Sequence, residues 1–233
     1  MNKTILIVDL ETDSTDPKIA NPLQIGAIAI DPVRLQIIPE SEFYSWCCPE
    51  MLDHPNYYPD HKSTIDFHLR NYNMSLENFN NKLRSSPSEK QVFANFVEYV
   101  KRYHTKAAGQ NVFTAPKFAG FNTFGFDFPI IDRLCEKYGF VDKNGKQNLY
   151  FTRDAIDLMK IVIYWLEPRN ELKSFSMDSL REYFGMPVGQ AHDAMFDVRQ
   201  EAELLIKFWK LAKTLSPQVN FSKAFESKRT NNG

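Results

Sequence analysis

The stretch "ILIVDLET", residues 5–12, decides how the chain is read. Ile5, Leu6, Ile7 and Val8 form a continuous apolar run, the pattern of a strand buried on both faces. That run leads straight into Asp9 and Glu11. Strand side chains alternate, so residues two apart share a face. Asp9 and Glu11 therefore point the same way from the end of a buried element. Like charges about 4 Å apart repel by about 4 kcal/mol at an effective dielectric near 20. Either a cation sits between them or they lie apart in water. A D-x-E pair arises about once by chance in a chain of this length, so the pair alone implies no more than a solvated strand end.

Working outward, "LQIGAIAID" (23–31) reads as a second strand and "SEFYSW" (41–46) as a third. Residues 50–85 show no clear period and read as a loop-rich connection in which short helices are open. "SPSEKQVFANFVEYVKRY" opens with Ser86 as N-cap, Pro87 in the first turn and Glu89 completing a capping box. Val92, Phe93, Phe96, Val97 and Val100 then form one apolar stripe at helical spacing. "PKFAGFN" (116–122) reads as a short strand. A helix follows, with Ile130, Ile131, Leu134 and Tyr138 on one face and Gly139 as its stop. "RDAIDLMKIVIYWL" reads as a strand entering a helix, with Asp157 a structural acid. "SMDSLREYFG" is a short helix ended by Gly185. "AHDAMFDVRQEAELLIKFWKLAKTL" is a long amphipathic helix capped by Asp193. Strands followed by helices predict an α/β architecture.

The 233 residues suit one sizeable domain, and 43% of them are apolar, enough to form a core. A net charge of −1 provides no overall basic field for a nucleic acid, which still allows an enzyme that needs only brief contact with a strand end. Cys47, Cys48 and Cys135 lack CxxC spacing, which argues against a disulfide framework or zinc site. No apolar run approaches 18 residues, and only four consecutive apolar residues precede Asp9, too few for a secretory signal. A reducing, cytoplasmic location is expected. The segment 213–233 carries Lys213, Lys223, Lys228 and Arg229 against Glu226 and is expected to be a basic, flexible tail beyond a domain of residues 1–212.

Three further residues join the first acids. Asp127 falls at a strand-to-helix junction. Asp197 lies in the first turns of the last helix, with His192 five residues before it. Five helical residues turn through about 500°, so His192 and Asp197 converge only if His192 precedes the helix. His54, His61, His68 and His104 have no carboxylate at ligand spacing and carry no assignment.

The order of D-x-E on the first strand, then "NTFGFD", then "HDAMFD" resembles the DnaQ-like, or DEDDh, 3′–5′ exonuclease family of the ribonuclease-H-like superfamily. The likeness extends over about residues 4–212. It includes "LQIGAIAID", "GFNTFGFDFPII", "DAIDLM", "SMDSLREYFGMP" and "AHDAMFDVRQEAELL" in the family's order. Departures are Asp13 and Ser14 after Thr12, where the family commonly has Thr-Gly, Phe121 where a His often stands, and one extra residue between Asn122 and the Phe-Asp pair. That last spacing is closer to stand-alone exonucleases acting on single strands than to proofreading subunits.

The resemblance implies a central mixed sheet flanked by helices and a two-Mg²⁺ site, with Mn²⁺ able to substitute. Asp9, Glu11, Asp127 and Asp197 are the implied ligands and His192 the implied general base. Hard Mg²⁺ prefers oxygen ligands, and an imidazole with pKa near 6.5 suits base work near neutrality. Thr12 is implied at the terminal 3′-OH and Asn122 at the scissile nucleotide. Of Phe121, Phe124 and Phe126, one is expected to touch substrate, and Phe124 is the candidate. The implied activity is metal-dependent 3′–5′ hydrolysis of single-stranded nucleic acid ends, DNA first, releasing nucleoside 5′-monophosphates. Alternatives are the same chemistry on short RNA or RNA 3′ tails, a polymerase-associated proofreading module, and a catalytically silent nucleic-acid-binding domain. No membrane partner is expected, and a homodimer or a polymerase partner stays open.

Overall fold

The computed structural model describes residues 3–187 and 192–218. A six-stranded mixed sheet runs in the order β3-β2-β1-β5-β6, with β4 also paired to β2. Strand β1 (Ile5–Thr12) pairs antiparallel with β2 (Pro22–Asp31), which also pairs antiparallel with β3 (Gln36–Ile37) and β4 (Phe43–Trp46). On its other side β1 pairs in parallel with β5 (Lys117–Gly120), and β5 with β6 (Ile156–Asp157). The anticipated α/β class, mixed sheet and flanking helices are all present. The fold is ribonuclease-H-like.

Alternation along β1 sorts the core into two layers. Leu6, Val8 and Leu10 pack with α3 (Glu89–Lys101) and α4 (Asp127–Tyr138). Ile5 and Ile7 pack on the opposite face with α5 (Leu158–Leu166), α6 (Met177–Phe184) and α7 (Ala194–Leu215). Asp9 and Glu11 continue the second, odd-numbered row. Phe93, Phe96 and Phe118 are fully buried in the first layer, each contributing about 1.5–3 kcal/mol by removal from water.

The connection 50–85 is more helical than the loop-rich reading with short helices expected. It contains α1 (Tyr57–Tyr72) and α2 (Leu76–Arg84), packed with Leu23 and Leu52 in a third cluster. Helix α1 buries Tyr57, Ile65 and His68, with His61 and Tyr72 half-buried on the same side. Positions 57, 61, 65, 68 and 72 have helical spacing, but four of the five are Tyr or His and do not register as an apolar stripe. Asn73 ends α1 in the left-handed conformation.

A second correction concerns the start of α3. Ser88, not Ser86, is the N-cap and accepts from the Gln91 N–H at 3.3 Å. Ser88 is held extended by Cys48, whose N–H donates to the Pro87 carbonyl and whose carbonyl accepts from the Glu89 N–H. Ser86 instead donates to the Lys82 carbonyl. At the other end α7 continues to Leu215, so the first residues of the expected tail are helical. Residues 219–233, with the remaining tail charges, lie outside the described residues.

Candidate active site

Two close approaches bring α7 over the end of β1. Gly26, paired with Asp9 in register, lies directly beneath the start of α7. A Cβ there would stand 2.6 Å from the Ala194 carbonyl oxygen, so only glycine permits this contact. The neighbouring Gln24 accepts from the Ala194 N–H at 3.1 Å, and Asp193 caps the helix through the Phe196 N–H. Asp197 then follows within the first turn of α7 and faces the odd-numbered row of β1.

Asp127 arrives from the other layer as the first residue of α4. Its Oδ1 accepts from the Leu10 N–H at 3.0 Å, tying α4 to β1 between the two acids. A cavity of about 300 Å³ opens where these elements meet. It is lined by Asp9, Glu11, Asp127, Asp197 and His192, all five singled out by sequence, together with Asn122. Asn122 holds a left-handed turn, φ 59°, and its N–H donates to Asp157 at 3.0 Å.

Thr12 and Phe124 do not line the cavity. Thr12 is one residue beyond Glu11, where the β1 register shifts, and its hydroxyl donates to the Ser14 carbonyl at 2.8 Å. Phe124 is 43% exposed and meets Phe128 edge-on. Phe121 and Phe126, on either side of it in the turn, line the cavity instead.

Sequence reading missed Glu201 and Arg181, which share this lining. Glu201 stands four residues after Asp197, one helical turn along the same face, and that spacing was the available signal. Arg181 is buried in α6 and donates to Gln200, Asp178 and Asp197. No local pattern in α6 announces it. Asp178 lines the cavity as well, so six carboxylates face one guanidinium that is already divided among three partners.

The electrostatics follow from this imbalance. Burial first, then mutual repulsion, holds the Asp9, Glu11 and Glu201 carboxyls well above the ordinary range. Burial lifts Asp127 to about 7 against the pull of the Leu10 N–H. Burial lifts Asp197 to about 6, opposed by Arg181 and by the His192 N–H. The buried Asp9 Oδ2 and Glu201 Oε2 have no hydrogen-bond partner among the described residues, although native structures pair most buried polar groups. A hard divalent cation is the group this donor set fits. One ligand atom from each of Glu11, His192 and Asp197 lies within 4.8 Å of the others.

His192 adopts φ 66°, a left-handed conformation uncommon for a side-chain-bearing residue. Its N–H donates to Asp197 Oδ2 at 3.0 Å. Phe67 of α1 meets the imidazole at 4.6 Å between ring centroids, nearly perpendicular. Burial draws the imidazole pKa down. His68, left unassigned by sequence, sits with Nε2 2.8 Å from the Thr12 carbonyl and Nδ1 3.9 Å from Glu11. Asp13, the departure from Thr-Gly, is fully buried. It accepts from the Asn21 N–H and side chain and from the Tyr57 hydroxyl, with His61 3.7 Å away. The substitution and α1 therefore belong together: Asp13 is the anchor on which α1 docks.

No protein-family model and no curated protein matches the chain. Solved structures do. E. coli Exonuclease I in complex with a dT13 oligonucleotide is 21% identical, with a TM-score of 0.62 over 93% of this chain and 42% of that one. A zinc-bound form of the E. coli ExoI–ssDNA complex matches with the same identity and TM-score. Cell-death related nuclease 4 is 18% identical, with a TM-score of 0.62 over 90% of this chain and 64% of that one. The chain thus spans about two fifths of the length of Exonuclease I, and it shares the fold of these nucleases. Among the described residues no helix is long and apolar enough to cross a membrane.

Proposed function

We propose that the chain is a metal-dependent 3′–5′ exonuclease that hydrolyses single-stranded DNA ends to nucleoside 5′-monophosphates. One observation carries this reading: Asp9, Glu11, Asp127 and Asp197, from three different elements, line one cavity together with His192. The similarity to Exonuclease I bound to dT13 supports the choice of substrate. A catalytically silent domain on this fold fits less well, because converging buried carboxylates without a cation are an electrostatic cost with no return in binding an anionic strand.

Asp9, Glu11, Asp127 and Asp197 would hold Mg²⁺, with Mn²⁺ as substitute. Divalent cations bound there supply an activated water and charge relief on the leaving oxygen. The chain's own groups do the rest. His192, kept neutral near pH 7 by burial, accepts the proton of the attacking water at a ring nitrogen. Arg181 keeps Asp197 in place while Asp197 receives the His192 N–H. Asn122 and the rings of Phe121 and Phe126, which line the cavity, would contact the nucleotide being removed, and stacking on such rings tolerates any base. The terminal nucleotide must leave its stack to reach the acids, which favours single strands, since unstacking costs a few kcal/mol.

The test is a set of 5′-labelled DNA oligonucleotides with free or phosphorylated 3′ ends, an RNA of the same sequence and a closed DNA circle. The expected result is a ladder shortening from the 3′ end of the free-hydroxyl DNA, in Mg²⁺ or Mn²⁺ and abolished by EDTA. Cutting of the circle, early release of the 5′ label, or full activity in excess EDTA would overturn the proposal. Faster degradation of the RNA would move the substrate to RNA ends.

A further inference from the structure

Glu201 is not among the acids that the family resemblance assigns, yet it occupies the same cavity as Asp9, Asp127 and Asp197. It is 2% exposed. Its place on α7, one turn beyond Asp197, aims it at the same end of β1. Its Oε2 is buried without a hydrogen-bond partner among the described residues, and so is Asp9 Oδ2. The one buried guanidinium nearby gives its donors to Gln200, Asp178 and Asp197. Among the described residues no ion pair reaches Glu201 or Asp9. A glutamate serving only as a core polar group would be hydrogen-bonded to its surroundings. Two orphaned carboxylate oxygens in one cavity instead lack the same thing, a positive centre with several coordination positions. Hard divalent cations meet that need, since they gather carboxylate oxygens directly or through retained water.

We propose that Glu201 is a fifth carboxylate of the divalent-cation site, holding the cation beside Asp9 and raising the affinity of the site. The proposal rests on the metal-dependent reading above. In the metal-free protein Glu201 adds to the repulsion among the acids, and with cation bound it adds to the attraction.

The experiment measures Mn²⁺ binding without nucleic acid, by calorimetry, and thermal melting in EDTA. It compares wild type, Glu201→Gln, Glu201→Met, Asp127→Asn and, as a control on the exposed face of α7, Glu203→Gln. Glu201→Gln and Glu201→Met are expected to lose about 10–100-fold in Mn²⁺ affinity, the usual range for groups that support a metal site. Both are also expected to melt higher than wild type in EDTA, while Glu203→Gln changes neither quantity. Wild-type Mn²⁺ affinity in both Glu201 variants, with affinity lost in Asp127→Asn, would make Glu201 a core acid and overturn the proposal alone. Failure of both Glu201 variants to fold in EDTA would overturn it too, because relief of repulsion cannot unfold the chain. Absence of Mn²⁺ binding in wild type would overturn the metal-dependent reading beneath it.

Discussion

The Tyr72 hydroxyl donates to the His192 carbonyl at 2.6 Å, across 120 residues of sequence. It joins the last residue of α1 to the residue whose backbone is turned left-handed just before α7. Tyr72 also accepts from the Gln24 side chain, and its ring stacks with His68. Helix α1 is thus tied to β2, to the Thr12 corner and to the candidate base at once. Left-handed backbone at a residue other than glycine persists when its surroundings over-determine it. This contact predicts that Tyr72 positions His192. Tyr72→Phe keeps the ring and removes the donor, and a hydrogen bond of this kind contributes about 0.5–1.5 kcal/mol. Turnover should fall by up to about tenfold with KM nearly unchanged and the fold retained. Steady-state kinetics beside circular dichroism check this, and an unaltered turnover number would remove Tyr72 from that role.

Asp127→Asn keeps the shape of the side chain but removes a charge from a cavity lined by six carboxylates. Asparagine can still accept from the Leu10 N–H through its amide oxygen, so the tie between α4 and β1 survives. The metal-free variant should melt higher than metal-free wild type, and its Mg²⁺-supported activity should drop by several orders of magnitude. Melting curves in EDTA and single-turnover rates in Mg²⁺ decide the point. Asp9→Asn should behave likewise.

His192→Ala should lower the rate by about 10²–10⁴-fold, the range for loss of a general base. In wild type the imidazole must be neutral to accept a proton, and burial draws its pKa below the ordinary 6.5. The acidic limb of the rate–pH profile should therefore fall below pH 6.5. It should disappear in the alanine variant. A limb that persists unchanged in His192→Ala would assign it to another group.

The metal-free protein should lose stability as pH rises. Asp127 at about 7 and Asp197 at about 6 each start from 3.8 when unfolded. Between those values the folded state binds more protons than the unfolded state, so the slope of stability with pH is negative. The contribution of these groups is fully present below about pH 3.8 and is lost as pH climbs through 6 and 7. Saturating Mg²⁺ should flatten or reverse the trend, since a cation favours the ionised acids. Urea denaturation between pH 4 and pH 8, with and without Mg²⁺, measures both slopes. A metal-free protein that gains stability across this interval would contradict the buried-acid site.

What the linear chain determines is what local spacing can encode. Period-two alternation placed Asp9 and Glu11 on one face of β1, Gly139 and Gly185 stopped their helices, and Asp193 capped α7. With Asp127 and Asp197 in order, those features carried the family resemblance that implied the fold and four of the cavity acids, Asp9, Glu11, Asp127 and Asp197. The rest depended on residues far apart in sequence. Where only short helices were open, the 16-residue α1 escaped notice because its buried stripe is made largely of tyrosines and histidines, whose burial depends on partners such as Asp13, Thr12 and Gln24 that only the folded chain supplies. The same cause moved the cap of α3 from Ser86 to Ser88, where pairing with Cys48 overrides a favourable local motif. It turned Phe124 outward and Phe121 and Phe126 inward, since a tight turn has no fixed period. Arg181 and Glu201 became part of the cavity only when α6 and α7 packed over β1, because burial and charge balance are properties of the space between elements.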